Sequence, residues 1–314
     1  MRAASEADEI YGATAQPSWR EVDWREHLRT IELGGKRVNY VDLGSSDEPP
    51  IVFVHGLGGS WQNWLENLPR AARERRALAL DLPGFGQSEM PTGDISIPGY
   101  GRCVEEFCQR LGLGEVVLVG NSMGGFIAAE VAIQHPQRVA RLMLVSAAGL
   151  SITNLRRRPV ETWGRVAAAV GTWGAAHVRG MIVRPRLRHI ALGYVVRHPT
   201  RLAPDLCWEI MSAAGRPGFI DALEALLDYD FQDRLGDIRA PTLIVWGSDD
   251  MLVPVKDASE FERLIPHARK VIFDDTGHVA MLERPETFNR CLMEFVAGTG
   301  PADDPASERV ETTA

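Results

Sequence analysis

The chain has 314 residues, 45% of them hydrophobic and 24% charged, with a formal net charge of -8. These values are ordinary for one or two globular domains with a sizeable buried core. An acidic chain without a basic stripe excludes nucleic acid as a partner held by general charge attraction, and no apolar run approaches the ~20 residues that cross a bilayer, so no integral membrane segment is expected.

Residues 1–18 are polar and acidic and lack the basic start and apolar stretch of a signal peptide. The expectation is a cytoplasmic protein in which residues 1–27 form a flexible N-terminal extension. Strands are predicted at 30–33, 37–43, 51–55 and 76–80, with a helix over 61–68 between the last two. A helix over 99–111 leads to a strand at 116–119. Residues 122–135 then form a helix that is apolar on nearly all sides and therefore central. A strand at 141–145 follows. The seventh and eighth strands are at 242–246 and 270–273, with helices at 255–264 and 286–296. Several of these strands are apolar without alternation, as burial on both faces requires. The pattern predicts an α/β fold, a mostly parallel eight-stranded sheet flanked by helices, with core segments 28–149 and 236–297.

Alternation stops over residues 150–235, which read as a helical cap inserted between strands 6 and 7. That stretch holds Trp163, Trp173 and Trp208. It is locally basic, with Arg156, Arg157, Arg158, Arg165, Arg179, Arg184, Arg186, Arg188, Arg197 and Arg201. A solvated, salt-bridged face is the simpler reading of those arginines, and attraction of an anionic substrate or membrane surface is the sharper one. Residues 298–314 are acidic, lack aromatics and read as a disordered tail. Cys103, Cys108, Cys207 and Cys291 are scattered without CxxC spacing and read as reduced thiols. A homodimer is left open.

Gly120-Asn121-Ser122-Met123-Gly124 joins an apolar strand to an apolar helix. This is G-x-S-x-G in strand–turn–helix context. The serine sits on a sharp turn, so the residues two before and two after it must be small. Ser122 is the candidate nucleophile; its simpler reading is a helix cap. His55-Gly56-Leu57-Gly58-Gly59 follows another strand end, where backbone can lie beside the serine. The oxyanion hole is assigned to the N–H groups of Leu57 and Met123. His55 is read as structural. Gly58 and Val279 are expected to contact substrate.

Trp246-Gly247-Ser248-Asp249-Asp250 ends a predicted strand, on the edge where parallel sheets carry their sites. Asp250 is the candidate acid and Asp249 the fallback. His278 follows the strand at 270–273 and precedes apolar residues, which suits a general base shielded from bulk water. The chain order Ser122, Asp250, His278, each at a strand end, is more specific than any one motif. No histidine spacing suits a metal, and no G-x-G-x-x-G or GK[ST] nucleotide loop occurs, so neither metal nor cofactor is expected.

At these residues the sequence resembles the α/β-hydrolase superfamily from about residue 28 to residue 296, outside the cap. Asp81-Leu82-Pro83-Gly84-Phe85-Gly86-Gln87-Ser88 and Glu283-Arg284-Pro285 extend the likeness. The resemblance implies a serine hydrolase that cleaves a carboxylic ester of a small molecule through an acyl-enzyme intermediate. Haloalkane dehalogenases and epoxide hydrolases carry aspartate where Ser122 stands, which sets both aside. Gly120–Gly125 is also similar to the meta-cleavage-product hydrolases, which break a carbon–carbon bond. The sequence departs from them at Gly56-Leu57-Gly58-Gly59-Ser60, where they carry Gly-Gly-Gly-Pro-Gly, and at Val279, where they carry tryptophan. A ligand-binding protein on the same fold, without turnover, is the alternative from a different class.

Overall fold

The computed structural model describes residues 11–151, 182–213 and 215–298. Its centre is an eight-stranded sheet in the order β1-β2-β4-β3-β5-β6-β7-β8. The strands are β1 (Leu28–Leu33), β2 (Lys36–Leu43), β3 (Ile51–Val54), β4 (Ala77–Leu80), β5 (Val116–Asn121), β6 (Val139–Val145), β7 (Thr242–Gly247) and β8 (Ala268–Phe273). β2 pairs antiparallel with β1 and β4, and every other pairing is parallel. All eight predicted strands are present, with ends shifted by a few residues.

Every residue of β3, β5 and β7 is buried. Successive side chains point to opposite faces of a strand. Val52 and Val54 therefore join one apolar core, whereas Ile51 and Phe53 join the other. The helices Ile97–Arg110 and Met123–Gln134 pack against each other on the first of these faces. Met123–Gln134 is buried from Met123 through Ala132, as its uniform apolarity predicts.

The helix predicted over 61–68 is instead a short 3-10 turn, Trp61–Trp64, followed by the one-turn helix Leu68–Ala71. Pro69 stands in the first turn of that second helix, where its missing N–H costs nothing. Between β6 and β7 the chain contributes the helices Pro185–Leu192, Pro204–Ser212 and Phe219–Asp228. The first two begin with proline, whose missing N–H costs nothing there. The remainder of the expected cap, with Arg156, Arg157, Arg158, Arg165, Arg179, Trp163 and Trp173, lies outside the described residues, as do 299–314 of the expected tail. No helix among the described residues is long and apolar enough to cross a membrane.

The expectation of a free extension over 1–27 fails from Tyr11 onward. Tyr11, Ala15 and Trp19 are 5%, 0% and 8% exposed. Polar composition hid this, because the partners are far away in the sequence. The Ala15 N–H and the Trp19 indole N–H donate to the two carboxylate oxygens of buried Glu66, at 2.8 and 2.9 Å. Arg20 donates to Asp205 at 2.5 and 2.7 Å.

Burial pushes the Glu66 carboxyl up to about 7, against the two N–H donors that favour its ionised form. The folded state therefore holds a proton that the unfolded chain has released, and stability falls as pH rises between the ordinary value and about 7. Relative to Glu66→Gln, the parent should lose about 2–3 kcal/mol between pH 5 and pH 8. Urea unfolding of both proteins at the two pH values checks this; parallel stabilities would refute it.

Candidate active site

Ser122 stands between β5 and the helix Met123–Gln134, with φ 56° and ψ −119°. This is a region that non-glycine residues rarely occupy, at a cost of about 1–3 kcal/mol. The surroundings fix it. The Ser122 N–H donates to Val145 O at 2.9 Å, and its carbonyl accepts from Ala148 and Phe126. The side chain is half-buried rather than enclosed. The flanking glycines are demanded by contact: a Cβ on Gly120 would lie 2.2 Å from Gly124 O, and one on Gly124 2.2 Å from Val54 O.

The same crowding places the end of β3 against the first turn of this helix. A Cβ on Gly56 would lie 3.1 Å from Ser122 Cβ. Leu57 is thus next in chain to a residue touching the serine, and Met123 follows the serine directly. Among the described residues, neither backbone N–H has a hydrogen-bond acceptor. Two free donors beside a hydroxyl at a helix N-terminus can stabilise a developing negative oxygen. His55 holds this loop in place. Its Nε2 accepts from Leu82 N–H at 3.0 Å, so Nδ1 is the donor to Gly56 O at 2.8 Å. Complete burial lowers its pKa and keeps the ring neutral, which fits a brace and not a base.

His278 Nδ1 lies 2.8 Å from Asp250 Oδ2, with side-chain exposures of 5% and 0%. Asp250 Oδ1 accepts from Leu252 and Val253 N–H, both at 2.9 Å. One oxygen is thereby fixed by backbone and the other is left for the imidazole. A carboxylate only accepts, so Nδ1 carries the hydrogen and Nε2 is the ring's proton acceptor. Asp249, the fallback, accepts from Ser248 Oγ at 2.7 Å and faces Arg197 at 3.5 Å.

Sequence reasoning missed the residues that join these parts. Asn121, the variable position of the serine motif, donates its Nδ2 to Val145 O at 3.1 Å and His278 O at 3.3 Å. The His278 N–H donates to Val195 O, in the β6–β7 segment, at 2.9 Å. Gly58 has φ +73°, and a Cβ there would meet the Phe219 ring at 3.3 Å. Val279 is 5% exposed and starts the turn Ala280–Glu283. Neither Phe219 nor Val195 lies in a motif, so no local signal marks them. A cleft of about 410 Å³ beside the site is lined by Tyr194, Val195, Arg197, Asp249, Met251 and Gly277, among others.

A family model for the alpha/beta hydrolase fold matches residues 49–285. The chain is similar to the dihydrolipoyllysine-residue acetyltransferase component of the acetoin cleaving system of Pseudomonas putida, 30% identical, covering 84% of this chain and 68% of that protein. It is similar to a 2-hydroxy-6-oxo-2,4-heptadienoate hydrolase of Pseudomonas putida, 30% identical over 86% of this chain and 96% of the relative. Among solved structures it resembles a thermophilic esterase from Thermogutta terrifontis, with TM-score 0.68, 25% identity, and coverage of 87% and 98%.

Proposed function

This chain belongs to the alpha/beta hydrolase family, and on that premise we propose that it cleaves a carboxylic ester through Ser122, His278 and Asp250. His278 Nε2 takes the Ser122 proton as the hydroxyl attacks the carbonyl. The Leu57 and Met123 N–H groups receive the oxyanion. Asp250 holds the imidazole tautomer and offsets the charge of its protonated form. Protonated His278 then gives its proton to the departing alcohol, and water attacks the acyl-enzyme by the same route in reverse. The helices between β6 and β7 form the cap over this site. Gly58 and Val279 line its floor, and Phe219 meets Gly58 from the cap side.

The observation that carries this reading is the buried 2.8 Å Asp250–His278 hydrogen bond, tied by Asn121 to the strained serine turn. A pairing without catalytic purpose would not call for a serine at φ 56° beside two free N–H donors. The test is covalent labelling with a fluorophosphonate, followed by peptide mapping, together with turnover of p-nitrophenyl butyrate. The label is expected on Ser122, and His278→Ala should slow it strongly. No label on Ser122 would overturn the serine-hydrolase reading in favour of a ligand-binding protein.

A second reading follows from the 30% identity to the heptadienoate hydrolase of Pseudomonas putida. There the same residues would act on a carbon–carbon bond next to a ketone. Labelling of Ser122 without turnover of any ester, accompanied by cleavage of a 2-hydroxy-6-oxo-dienoate, would favour it. The departures at Leu57, Gly59, Ser60 and Val279 are why the ester comes first.

A further inference from the structure

Behind the histidine lies a buried carboxylate that the reaction above does not use. Glu283 is fully buried. Its oxygens accept from the Tyr11 hydroxyl at 2.6 Å, from Gly277 N–H at 3.0 Å to each oxygen, from Arg197 N–H at 2.9 Å and from Val279 N–H at 3.3 Å. Gly277 and Val279 are the neighbours of His278 on either side. The carboxylate therefore grips the backbone just before and just after the base. Tyr11 comes from the opposite end of the chain. Its hydroxyl donates to Glu283 Oε2 and accepts from His198 N–H at 2.8 Å. Its ring lies between the guanidinium groups of Arg201 and Arg284, each 4.5 Å from the centroid, and meets the His198 ring edge-on at 5.1 Å. Gly12 N–H donates to Glu283 O at 2.8 Å, which seats the segment.

We propose that Tyr11 is a positioning residue for His278, acting through Glu283, and that it couples the β6–β7 segment to the base. The inference rests on the reading of His278 as general base. Two ties converge on that residue from the β6–β7 side. Val195 O accepts the His278 N–H, and two to three residues further on, Arg197 N–H and His198 N–H end on Glu283 and on Tyr11. The Tyr11 hydroxyl bridges Glu283 and the β6–β7 segment, beside the direct bond from Arg197 N–H to Glu283. Without it, Oε2 loses its shortest donor, the His198 N–H loses its acceptor, and the carboxylate can rotate. The histidine loop then shifts by a fraction of an ångström, which proton transfer registers and simple binding does not.

Tyr11→Phe keeps the ring and its cation contacts and removes only the hydroxyl. The experiment compares parent, Tyr11→Phe, Glu283→Gln and the double variant by p-nitrophenyl butyrate kinetics, the rate of fluorophosphonate labelling, and urea unfolding. The expected result for Tyr11→Phe is a roughly tenfold fall in both kcat and the labelling rate, with KM changed less than twofold, under conditions where the protein is fully folded. The double variant should be no slower than Glu283→Gln alone, because both changes cut one connection. Parent-like rates in Tyr11→Phe, or a loss explained by the unfolded fraction, would overturn the inference even if Glu283→Gln fails to fold. A parent that neither turns over the ester nor labels would instead refute the general-base reading and the positioning role with it.

Discussion

Asp250→Asn is expected to lower kcat by roughly 10³–10⁴-fold while leaving the fold intact. Oδ1 of Asp250 accepts two backbone N–H groups, from Leu252 and Val253. In the variant the amide oxygen must stay there, because an NH2 group would face two donors. The amide nitrogen then faces His278 Nδ1, where the parent has an acceptor 2.8 Å away. Nδ1 can meet a donor only by giving up its hydrogen, which moves the proton to Nε2. The ring keeps its place but offers the serine a donor instead of an acceptor. The measurement is kcat on p-nitrophenyl butyrate, with circular dichroism and urea midpoint as controls. Activity within tenfold of the parent would mean that Asp250 does not set the tautomer. Asp249→Asn is the companion control and should stay near parent activity, since Asp249 is engaged with Ser248 and Arg197.

Gly124→Ala should be a severely damaging single-methyl change, costing more than about 4 kcal/mol and abolishing soluble yield in a marginal protein. The added Cβ would stand 2.2 Å from Val54 O and 2.6 Å from His55 O. Both are backbone atoms at the end of β3 and just beyond it, and cannot swing away as a side-chain tip can. Relief requires the helix Met123–Gln134 to lift from β3, which also drags Met123 away from Leu57. Gly114→Ala is the control: no atom lies within 4 Å of its Cβ position, so the change should be close to neutral. Equal urea midpoints for the two variants would contradict this account.

Much of this was legible before any coordinates. The inner strands β3, β4, β5 and β7 announce themselves as short apolar runs because they are buried on both faces. The serine turn is legible because steric necessity writes glycine at two fixed places. Asp250 and His278 are singled out by their place after strand ends, where a parallel sheet presents loops together, and the two side chains meet. What stayed hidden is whatever depends on residues distant in sequence. Tyr11 and Glu283 are separated by 272 positions, and Trp19 and Glu66 by 47. Nothing in a polar stretch around Tyr11 says that buried acceptors await it. Asn121 escaped because its motif leaves that position unspecified, and Glu283 because its triplet marked a likeness without stating a task.

The packing of Tyr11 to Trp19 also decides where the domain ends as a physical object. The family match spans 49–285, and an expression fragment cut to those limits would look complete on paper. It would lack β1, β2 and most of the helix Pro285–Ala297. Even a gentler trim to Leu28, the first strand residue, would strip two buried carboxylates of their donors at once: Glu66 would lose Ala15 and Trp19, and Glu283 would lose Tyr11. Fusion partners and affinity tags therefore belong upstream of Tyr11, and fragments for crystallisation or directed evolution should start no later than that residue.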